Sequence, residues 1–478
     1  MPPMTRLHQR FTIHPVGQGF FYSGAIEFPH LDDAPSNFNF VFDCGSMNKA
    51  NCADEIATYH KHHFPDHTSL DLLVISHFDQ DHVNHIYKLL DGNRKVKKIV
   101  APFLNYSEQF LLLLRSVSIY GRLATDPEEL FFISLILDPV AALTPFLDDK
   151  EGEIIFMTSN PDNPPFIVGN PEGEPPTEGK DRTFHLDFGT LKDIPGEATA
   201  LRVKEVLDSE KTTLKFGSIT VMEFLFYKKE IGKGEEEFYR EVYELFIAEY
   251  KKFFKDPKKP LPEEITNVVK TIRAATVIEK FFNEAKKILK FEAYKHTKIS
   301  DLNTSALCML HRNMAYLAPR HHPDGWKYSP DIEINRIQKF EQLTPSFSKT
   351  VTPFEHWHRH RRFHPENFPN ALLTSDSFLL TKTDVDAFYK RYKNYWNQYW
   401  IFQVPHHGSD NNTDVTLLSR IPHATKIFIN YGIVKAWGGT WRHPSAQVIT
   451  DIVATGHSLH FSPVNESVGI EFTYALHR

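Results

Sequence analysis

One segment, LDLLVISHFDQDHVNH from Leu70 to His85, constrains the fold more than any other. A Leu, Val and Ile run of strand length is followed by His77, Asp79, Asp81 and His82, all within six positions. A short helical pattern then ends at Gly92. Imidazole and carboxylate groups are metal ligands, and the loop that leaves a buried strand and enters a helix can hold several of them at one rim. The segment therefore predicts an α/β fold with a metal site at a strand end.

Length, charge and cysteine content bound the class of protein. The chain has 478 residues, a formal net charge of −6 and three cysteines. The small acidic excess argues against a generally basic nucleic-acid-binding surface, so contact with nucleic acid would need local patches. Three cysteines cannot form a disulfide framework, and no apolar run of about 18 residues is present. We therefore expect a cytoplasmic protein with no membrane segment.

Three later segments repeat the pattern of ligand-type residues after an apolar strand. ALLTSD places Asp376 after one strand, and WIFQVPHHGS places His406 and His407 after another. WGGTWRHP places His443 where a helix begins. Side chains beyond neighbouring strand ends can converge on one pocket, and about six ligands with a bridging carboxylate can hold two ions. His77 and Asp79 would serve one ion, Asp81 and His82 the other, and Asp376 would bridge them.

These motifs carry a family resemblance. The pattern H-x-D-x-D-H resembles the H-x-H-x-D-H signature of the metallo-β-lactamase fold, with Asp79 in place of the second histidine. Together with VGQG, FDCGS, N-x-S at Asn303, LLTSD, HHGS and HP, it looks like the C-terminal hydrolase domain of ComEC-type competence proteins.

The resemblance implies a fold and a domain plan. The fold would be an αββα metallo-β-lactamase sandwich, with two sheets inside, helices outside and the metal pocket at one edge. A single domain, 1–478, would have its core at about 11–104, 212–227, 300–311 and 370–478. Largely helical insertions would occupy about 105–211, 229–299 and 312–369.

The resemblance also implies a site. The ligands of two divalent ions would be His77, Asp79, Asp81, His82, the bridging Asp376, and His406 on the second ion; His407, Ser409 and His443 would line the pocket. The family usually supplies another histidine to the first ion, and the sequence shows no candidate for it. Asp79 makes the first site oxygen-rich, which favours Mn²⁺ or Mg²⁺ relative to an all-histidine zinc site. The identity of the metal, zinc, manganese or magnesium, stays open.

The implied activity is phosphodiester hydrolysis by a metal-bound hydroxide, with DNA or RNA as substrate. Asp81, His407 and His443 are the candidate catalytic residues, and His407 or His443 would protonate the departing alkoxide. Candidate substrate-binding residues are Ser409, Asn303, Arg359 and Arg361. The passage HWHRHRRFH, which contains the two arginines, either stacks on bases and holds phosphates or is a surface loop. Ser409 and Asn303 are also typical turn or cap residues.

Two other functions are compatible with these residues. One is hydrolysis of a small substrate, such as a cyclic nucleotide, a lactone or a thioester, because one fold serves many chemistries. The other is a binding or regulatory module with a degenerate metal site, in which the helical insertions recruit a protein partner. A metal-free pocket would favour the second alternative.

Overall fold

The computed structural model describes residues 7–28, 36–120, 127–167, 183–194, 202–216, 219–231, 233–257, 264–265, 267–268, 275–289, 306–313, 331–338, 370–423, 425–431, 434–436, 439–441, 443–463 and 468–476. The strands are β1 Leu7–Ile13, β2 Gly19–Phe28, β3 Ser36–Ser46, β4 Ser69–Val74, β5 Lys95–Pro102, β6 Glu153–Thr158, β7 Phe184–Asp187, β8 Lys192–Asp193, β9 Val203–Leu207, β10 Lys211–Phe216, β11 Ile219–Lys228, β12 Leu307–Asn313, β13 Asp331–Gln338, β14 Ala371–Leu373, β15 Ile401–Gln403, β16 Lys426–Tyr431, β17 Val434–Ala436, β18 Gly439–Trp441, β19 Ser458–Pro463 and β20 Val468–Leu476. The helices are α1 Lys49–His62, α2 Gln80–Val83, α3 Ile86–Leu89, α4 Tyr106–Tyr120, α5 Pro127–Leu137, α6 Pro139–Leu143, α7 Lys233–Tyr250, α8 Ala275–Leu289, α9 Lys382–Tyr392, α10 Val415–Arg420 and α11 Ala446–Ala454.

Most of the strands form two mixed sheets. The first has the order β13-β20-β1-β2-β3-β4-β5-β6-β9-β8, and the second β19-β16-β15-β14-β12-β11-β10-β7. In the first sheet β3, β4, β5, β6 and β9 are parallel neighbours. In the second sheet β14, β15, β16 and β19 are parallel. Neighbouring parallel strands end at the same edge of a sheet, so each parallel half presents one edge of loops that can carry ligands.

The hydrophobic core lies in three clusters that the sheets separate. The middle cluster joins the sheets, with Phe40 and Leu72 from the first facing Phe224 and Met309 from the second. A second cluster packs α1, α4, α5, α7 and α8 on the outer face of the first sheet, and a third packs α9, α10 and α11 on the outer face of the second. Each fully buried large side chain contributes about 1.5–3 kcal/mol. Within the described ranges, every helix is too short or too polar to span a lipid bilayer.

The segments expected to be largely helical insertions contribute strands as well. Within 105–211, β6 and β9 extend the parallel half of the first sheet, and β7 pairs with β10 in the second. Within 312–369, β13 pairs with β20 at the end of the first sheet. The description as helical is wrong for these strands, whereas 229–299 contains α7 and α8 as predicted.

A buried histidine in the middle cluster gives the fold a pH dependence. His311 on β12 stacks on Phe11 with ring centroids 4.6 Å apart, and its Nε2 accepts a hydrogen bond from the Tyr22 hydroxyl at 2.5 Å. Burial lowers the pKa of His311 to about 3. The neutral imidazole is therefore the native form at neutral pH.

Acid should destabilise the fold through this residue. A depressed pKa adds stability that is fully present above about 6.5, where the unfolded histidine titrates, and is lost as the pH falls toward the folded value. Between pH 7 and pH 4.5 we expect His311 alone to lower the free energy of unfolding by about 2.5 kcal/mol. Urea unfolding at both pH values would measure it. His311→Phe should lose less stability on acidification than the wild type, and the exposed His423→Phe the same amount; equal losses in all three would contradict the prediction.

Candidate metal centre

The first ligand cluster forms where β4 ends. His77 follows the strand, Asp79 precedes α2 as its N-cap residue on extended backbone, and Asp81 and His82 lie within this four-residue helix. His77 Nε2 lies 3.5 Å from Asp79 Oδ2, and His82 is fully buried. The tight turn brings the second pair of side chains back toward the first.

Two glycines let this turn approach the sheet. A Cβ on Gly45 would lie 2.5 Å from the His82 carbonyl carbon and 2.6 Å from the Asp81 carbonyl oxygen. A Cβ on Gly19, where φ is +140°, would lie 2.5 Å from the same Asp81 oxygen. Real Cβ atoms do not come this close to backbone, so the glycines of the GQG and DCG motifs fix the position of α2.

Gly45→Ala should therefore displace α2 and weaken metal binding. Displacing α2 moves Asp81 and His82 away from the cation. We expect this to raise the dissociation constant for Mn²⁺ by about 10- to 100-fold, as the loss of a residue that hydrogen-bonds a metal ligand does. Isothermal titration calorimetry would measure it. Gly456→Ala is the control for adding a Cβ: no heavy atom lies within 4 Å of it, and the strain of alanine at φ +78° falls outside α2. Unchanged Mn²⁺ affinity in Gly45→Ala would contradict the assigned role.

Asp376 lies between the imidazoles, in the loop after β14. Its Oδ2 is 3.6 Å from His77 Nε2 and 3.4 Å from His406 Nε2. Its Oδ1 is 3.2 Å from His82 Nε2 and 3.7 Å from His407 Nε2. Each carboxylate oxygen thus faces its own pair of imidazoles, which is the arrangement expected of a bridging ligand.

The histidine pair after β15 is divided between the two sides. His406 and His407 both have left-handed backbone, with φ of 48° and 54°, and Gly408 continues the turn with φ of 80°. Most non-glycine residues avoid this region, and residues that occupy it are enriched at functional sites. His407 Nε2 lies 3.2 Å from Asp81 Oδ2, whereas His406 faces the Asp376 oxygen that also faces His77.

This division changes the interpretation of both histidines. His406 was expected beside Asp81 and His82, but the structure places His407 there. Adjacent residues in a left-handed turn point to different sides, and sequence spacing does not show which is which. His406 lies on the same side of Asp376 as His77, where the sequence revealed no further histidine.

Three groups of potential ligand atoms lie within 4.8 Å of one another in the described residues. They are Asp81, His82 and His407; His77, Asp79 and Asp376; and Asp43, His77 and His82. The first two groups use the side chains around Asp376. Hydrogen bonds already fill the third, because His82 Nδ1 donates to Asp43 Oδ2 at 2.8 Å and Ser76 Oγ donates to the same oxygen at 2.5 Å. The third group therefore supports the histidines from behind.

The supporting layer was not identified among the site residues from the sequence. Besides Asp43, it contains Ser76 and Ser375, whose hydroxyls are 2.6 Å apart. His77 Nδ1 lies 2.8 Å from Ser76 Oγ. Asp43 belongs to the FDCGS motif and has φ of 56°, but in the sequence it looks like a turn residue.

A second supporting pair holds the later loops. Gln403 Oε1 accepts the backbone N–H groups of Thr374 and Ser375 at 3.0 and 2.8 Å. Its amide nitrogen donates to Asn430 Oδ1 at 3.4 Å. The carbonyl of Asn430 in turn accepts from His407 Nδ1 at 2.9 Å. Gln403 thereby ties the Asp376 loop to the His407 imidazole.

The donor set fits divalent cations. Nδ1 of each of the four histidines around Asp376 has a partner, which for His406 is Asn412 Oδ1 at 2.6 Å. That contact leaves Nε2 as the ligand atom. Within the described part of the chain, Nε2 of His77 and of His82 is buried without a hydrogen bond. Imidazole nitrogens combined with carboxylate oxygens suit Zn²⁺ and Mn²⁺.

Charge balance within the site points the same way. Burial and the neighbouring His82 lower the pKa of His77, but the carboxylates of Asp376 and Asp79, 3.6 and 3.5 Å from its Nε2, outweigh them and raise it to about 9. Burial raises the pKa of Asp376, but the charge of His406 and of two further imidazoles lowers it well below its usual range. In each of these imidazole–carboxylate contacts the imidazole holds a proton, and a bound cation would displace that proton.

The other predicted residues fall in different places. His443 follows the β17–β18 hairpin, and its ring centroid lies 5.5 Å from that of His406. Burial, together with the charge of His406 and His407, lowers the pKa of His443 to about 4. Ser409 is buried, and its hydroxyl accepts the Asn411 N–H at 3.2 Å, as in a turn. The remaining candidates, Asn303, Arg359 and Arg361, lie outside the described residues.

Comparison with known proteins adds no relative: no protein-family model matches the chain, and no curated protein matches it.

Proposed function

We propose that the chain is a metal-dependent phosphodiester hydrolase with the metallo-β-lactamase sandwich, and that its substrate is a nucleic acid. One observation carries the proposal: Asp376 presents each carboxylate oxygen to a separate pair of imidazoles, at 3.2–3.7 Å. A shared carboxylate between two sets of nitrogen and oxygen ligands is typical of two-metal sites that act on phosphate esters. The motif resemblance to ComEC-type hydrolase domains supports nucleic acid as the substrate.

The ligands divide into two sets in this proposal. His77, Asp79 and His406 would hold one cation, Asp81, His82 and His407 the other, and Asp376 both. When bound, two such ions supply an activated water and stabilise charge on the phosphate oxygens. The protein's part is to fix the ligands, which Asp43, Ser76 and Gln403 do through the hydrogen bonds described above.

His443 is the candidate for proton transfer. His407 contacts Asp81 and Asp376, which makes it a ligand rather than an acid. His443 stands beside this set, and its lowered pKa of about 4 leaves the imidazole neutral at pH 7. A neutral imidazole can accept a proton from water and pass it to a leaving group. We therefore assign His443 to proton transfer.

Cleavage assays on the full chain would test the function. Metal-free protein reconstituted with Mn²⁺ or Zn²⁺ would be incubated with single-stranded, double-stranded and circular DNA, with RNA and with bis(p-nitrophenyl) phosphate. We expect cleavage that chelation abolishes and that His407→Ala reduces by about 10²-fold or more. The exposed His423→Ala is the control and should cleave normally.

Three outcomes would overturn the proposal. They are equal activity in both histidine variants, activity that survives chelation, and hydrolysis of a lactone or thioester without any phosphodiester cleavage.

A further inference from the structure

The two halves of the candidate centre have the same donors. We call Asp81, His82 and His407 the inner half, and His77, Asp79 and His406 the outer half. Each provides two imidazoles and one carboxylate, and each faces one oxygen of Asp376. Donor type alone would give the halves equal affinity for a cation. Their surroundings, however, differ.

The first difference is the partner behind the leading histidine. In the inner half, His82 Nδ1 donates to the Asp43 carboxylate at 2.8 Å. In the outer half, His77 Nδ1 contacts the Ser76 hydroxyl at 2.8 Å, and that hydroxyl gives its own proton to Asp43. A carboxylate partner makes an imidazole a stronger ligand than a neutral hydroxyl does. The inner histidine is therefore the better donor.

The second difference is the burial and the Nδ1 partner of the histidine that follows β15, His407 in the inner half and His406 in the outer half. The His407 side chain is fully buried, and its Nδ1 donates to a backbone carbonyl of β16. The His406 side chain is 16% exposed, and its Nδ1 bonds a side-chain amide, that of Asn412.

The distances between the ligand atoms also favour the inner half. All three inner ligands lie within 4.8 Å of one another, whereas His406 is not in the corresponding group with His77 and Asp79 among the described residues. Ligands that already lie close together bind a cation at a smaller cost in free energy than ligands that must first move together.

We propose that the two halves bind divalent cations unequally: the inner half fills first and tightly, and the outer half holds an exchangeable ion. This inference rests on the metal centre of the proposed function and adds its order of assembly. At cation concentrations between the two dissociation constants, only the inner half is occupied. The free cation concentration therefore determines whether the centre is complete.

Mn²⁺ titration of the metal-free full chain would test this order. The electron paramagnetic resonance signal of free Mn²⁺ counts bound ions without any activity assay. For the wild type we expect two classes of site whose dissociation constants differ at least about tenfold. Asp79→Asn and Asp81→Asn are a matched pair, since both side chains are 14% exposed. Asp79→Asn should keep the tight class and lose the weak one, and Asp81→Asn should lose the tight class.

A further variant probes the cause. Asp43→Asn should weaken the tight class by about 10- to 100-fold and the weak class less, because Asp43 contacts His82 directly but reaches His77 only through the Ser76 hydroxyl. If this variant does not fold, the wild type and the matched pair decide alone.

The outcomes separate the two proposals. One class of equal sites, or loss of the tight class in Asp79→Asn, overturns the order of binding. Absence of Mn²⁺ binding in the folded wild type overturns the metal centre and the order with it. Binding in the expected order without phosphodiester cleavage overturns the function and leaves the order standing.

Discussion

Asp376→Ala is expected to abolish cation-dependent phosphodiester cleavage, with a loss of at least about 10³-fold in kcat/KM. The substitution removes both oxygens that face the imidazole pairs, so neither half keeps its full set of ligands. The amount of bound metal should fall at the same time, because no carboxylate is then shared by the two sets of histidines. Initial rates on bis(p-nitrophenyl) phosphate and inductively coupled plasma mass spectrometry on the same samples would measure both effects.

Asp410→Ala is the matched control for this prediction. Asp410 lies in the loop after His407 and is exposed, so the control makes the same change in charge close to the site. It should retain activity and metal. Asp376→Asn tests the bridge more narrowly, since it keeps the shape and removes the charge. An Asp376→Asn enzyme that still binds two ions and cleaves at the wild-type rate would contradict the bridging role.

The ligand cluster at residues 77–82 was predictable because its geometry is local. An apolar strand, a short extended link and one helical turn fix how His77 and His82 can point. The roles of His406 and His407 were not predictable in the same way. Their left-handed backbone determines which side each imidazole faces, and the HHGS letters do not encode that choice.

The supporting residues escaped prediction for a different reason. Asp43 and Ser76 are hydrogen-bonded to each other although they lie 33 positions apart in the sequence. Gln403 is hydrogen-bonded to residues 27–29 positions away. Only the fold brings such partners together. Small polar residues beside a strand end look like ordinary turn residues in a single sequence. Glycine was the stronger signal, since Gly19 and Gly45 mark a close backbone approach.

Strand β6 shows why part of the fold was missed. Its sequence, EIIFMT, is a short apolar run that follows helical segments and precedes a loop rich in proline and glycine. A buried parallel strand lacks the alternation of an exposed one, so periodicity does not separate it from a helix. Its place in the sheet depends on pairing with β5, a contact between residues about 55 positions apart.

A buried ion pair joins the segment 105–211 to the second sheet and its helices. Arg391 on α9 donates to Asp208 Oδ1 at 2.8 Å, and both side chains are almost fully buried. Asp208 also accepts the N–H groups of Asn160 and Lys228, both at 2.9 Å. Burial raises the pKa of Asp208, and Arg391 with these two hydrogen bonds offsets part of that rise, which leaves it at about 6.

Arg391→Met should therefore be among the most destabilising changes in the chain. It leaves a buried carboxylate without its cation, and we expect the free energy of unfolding at pH 8 to fall by about 3–5 kcal/mol. A carboxyl whose folded pKa is raised loses stability as the pH rises through that value, and removing Arg391 raises it further. The deficit should consequently be smaller at pH 5.5 than at pH 8. Urea unfolding at both pH values measures it.

Two comparisons isolate the pair from a general effect of losing arginine. Arg420→Met breaks an exposed pair with Asp386, 2.6 Å between Nη2 and Oδ1, and should cost far less than Arg391→Met because solvent screens the two charges. Adding Asp208→Asn to Arg391→Met removes the stranded charge and should recover most of the loss at pH 8. If Arg391→Met costs no more than Arg420→Met, the buried pair does not hold the segment to the core. The segment would then depend on its apolar packing and on hydrogen bonds such as that from the Asn394 amide to the Phe166 carbonyl at 2.8 Å.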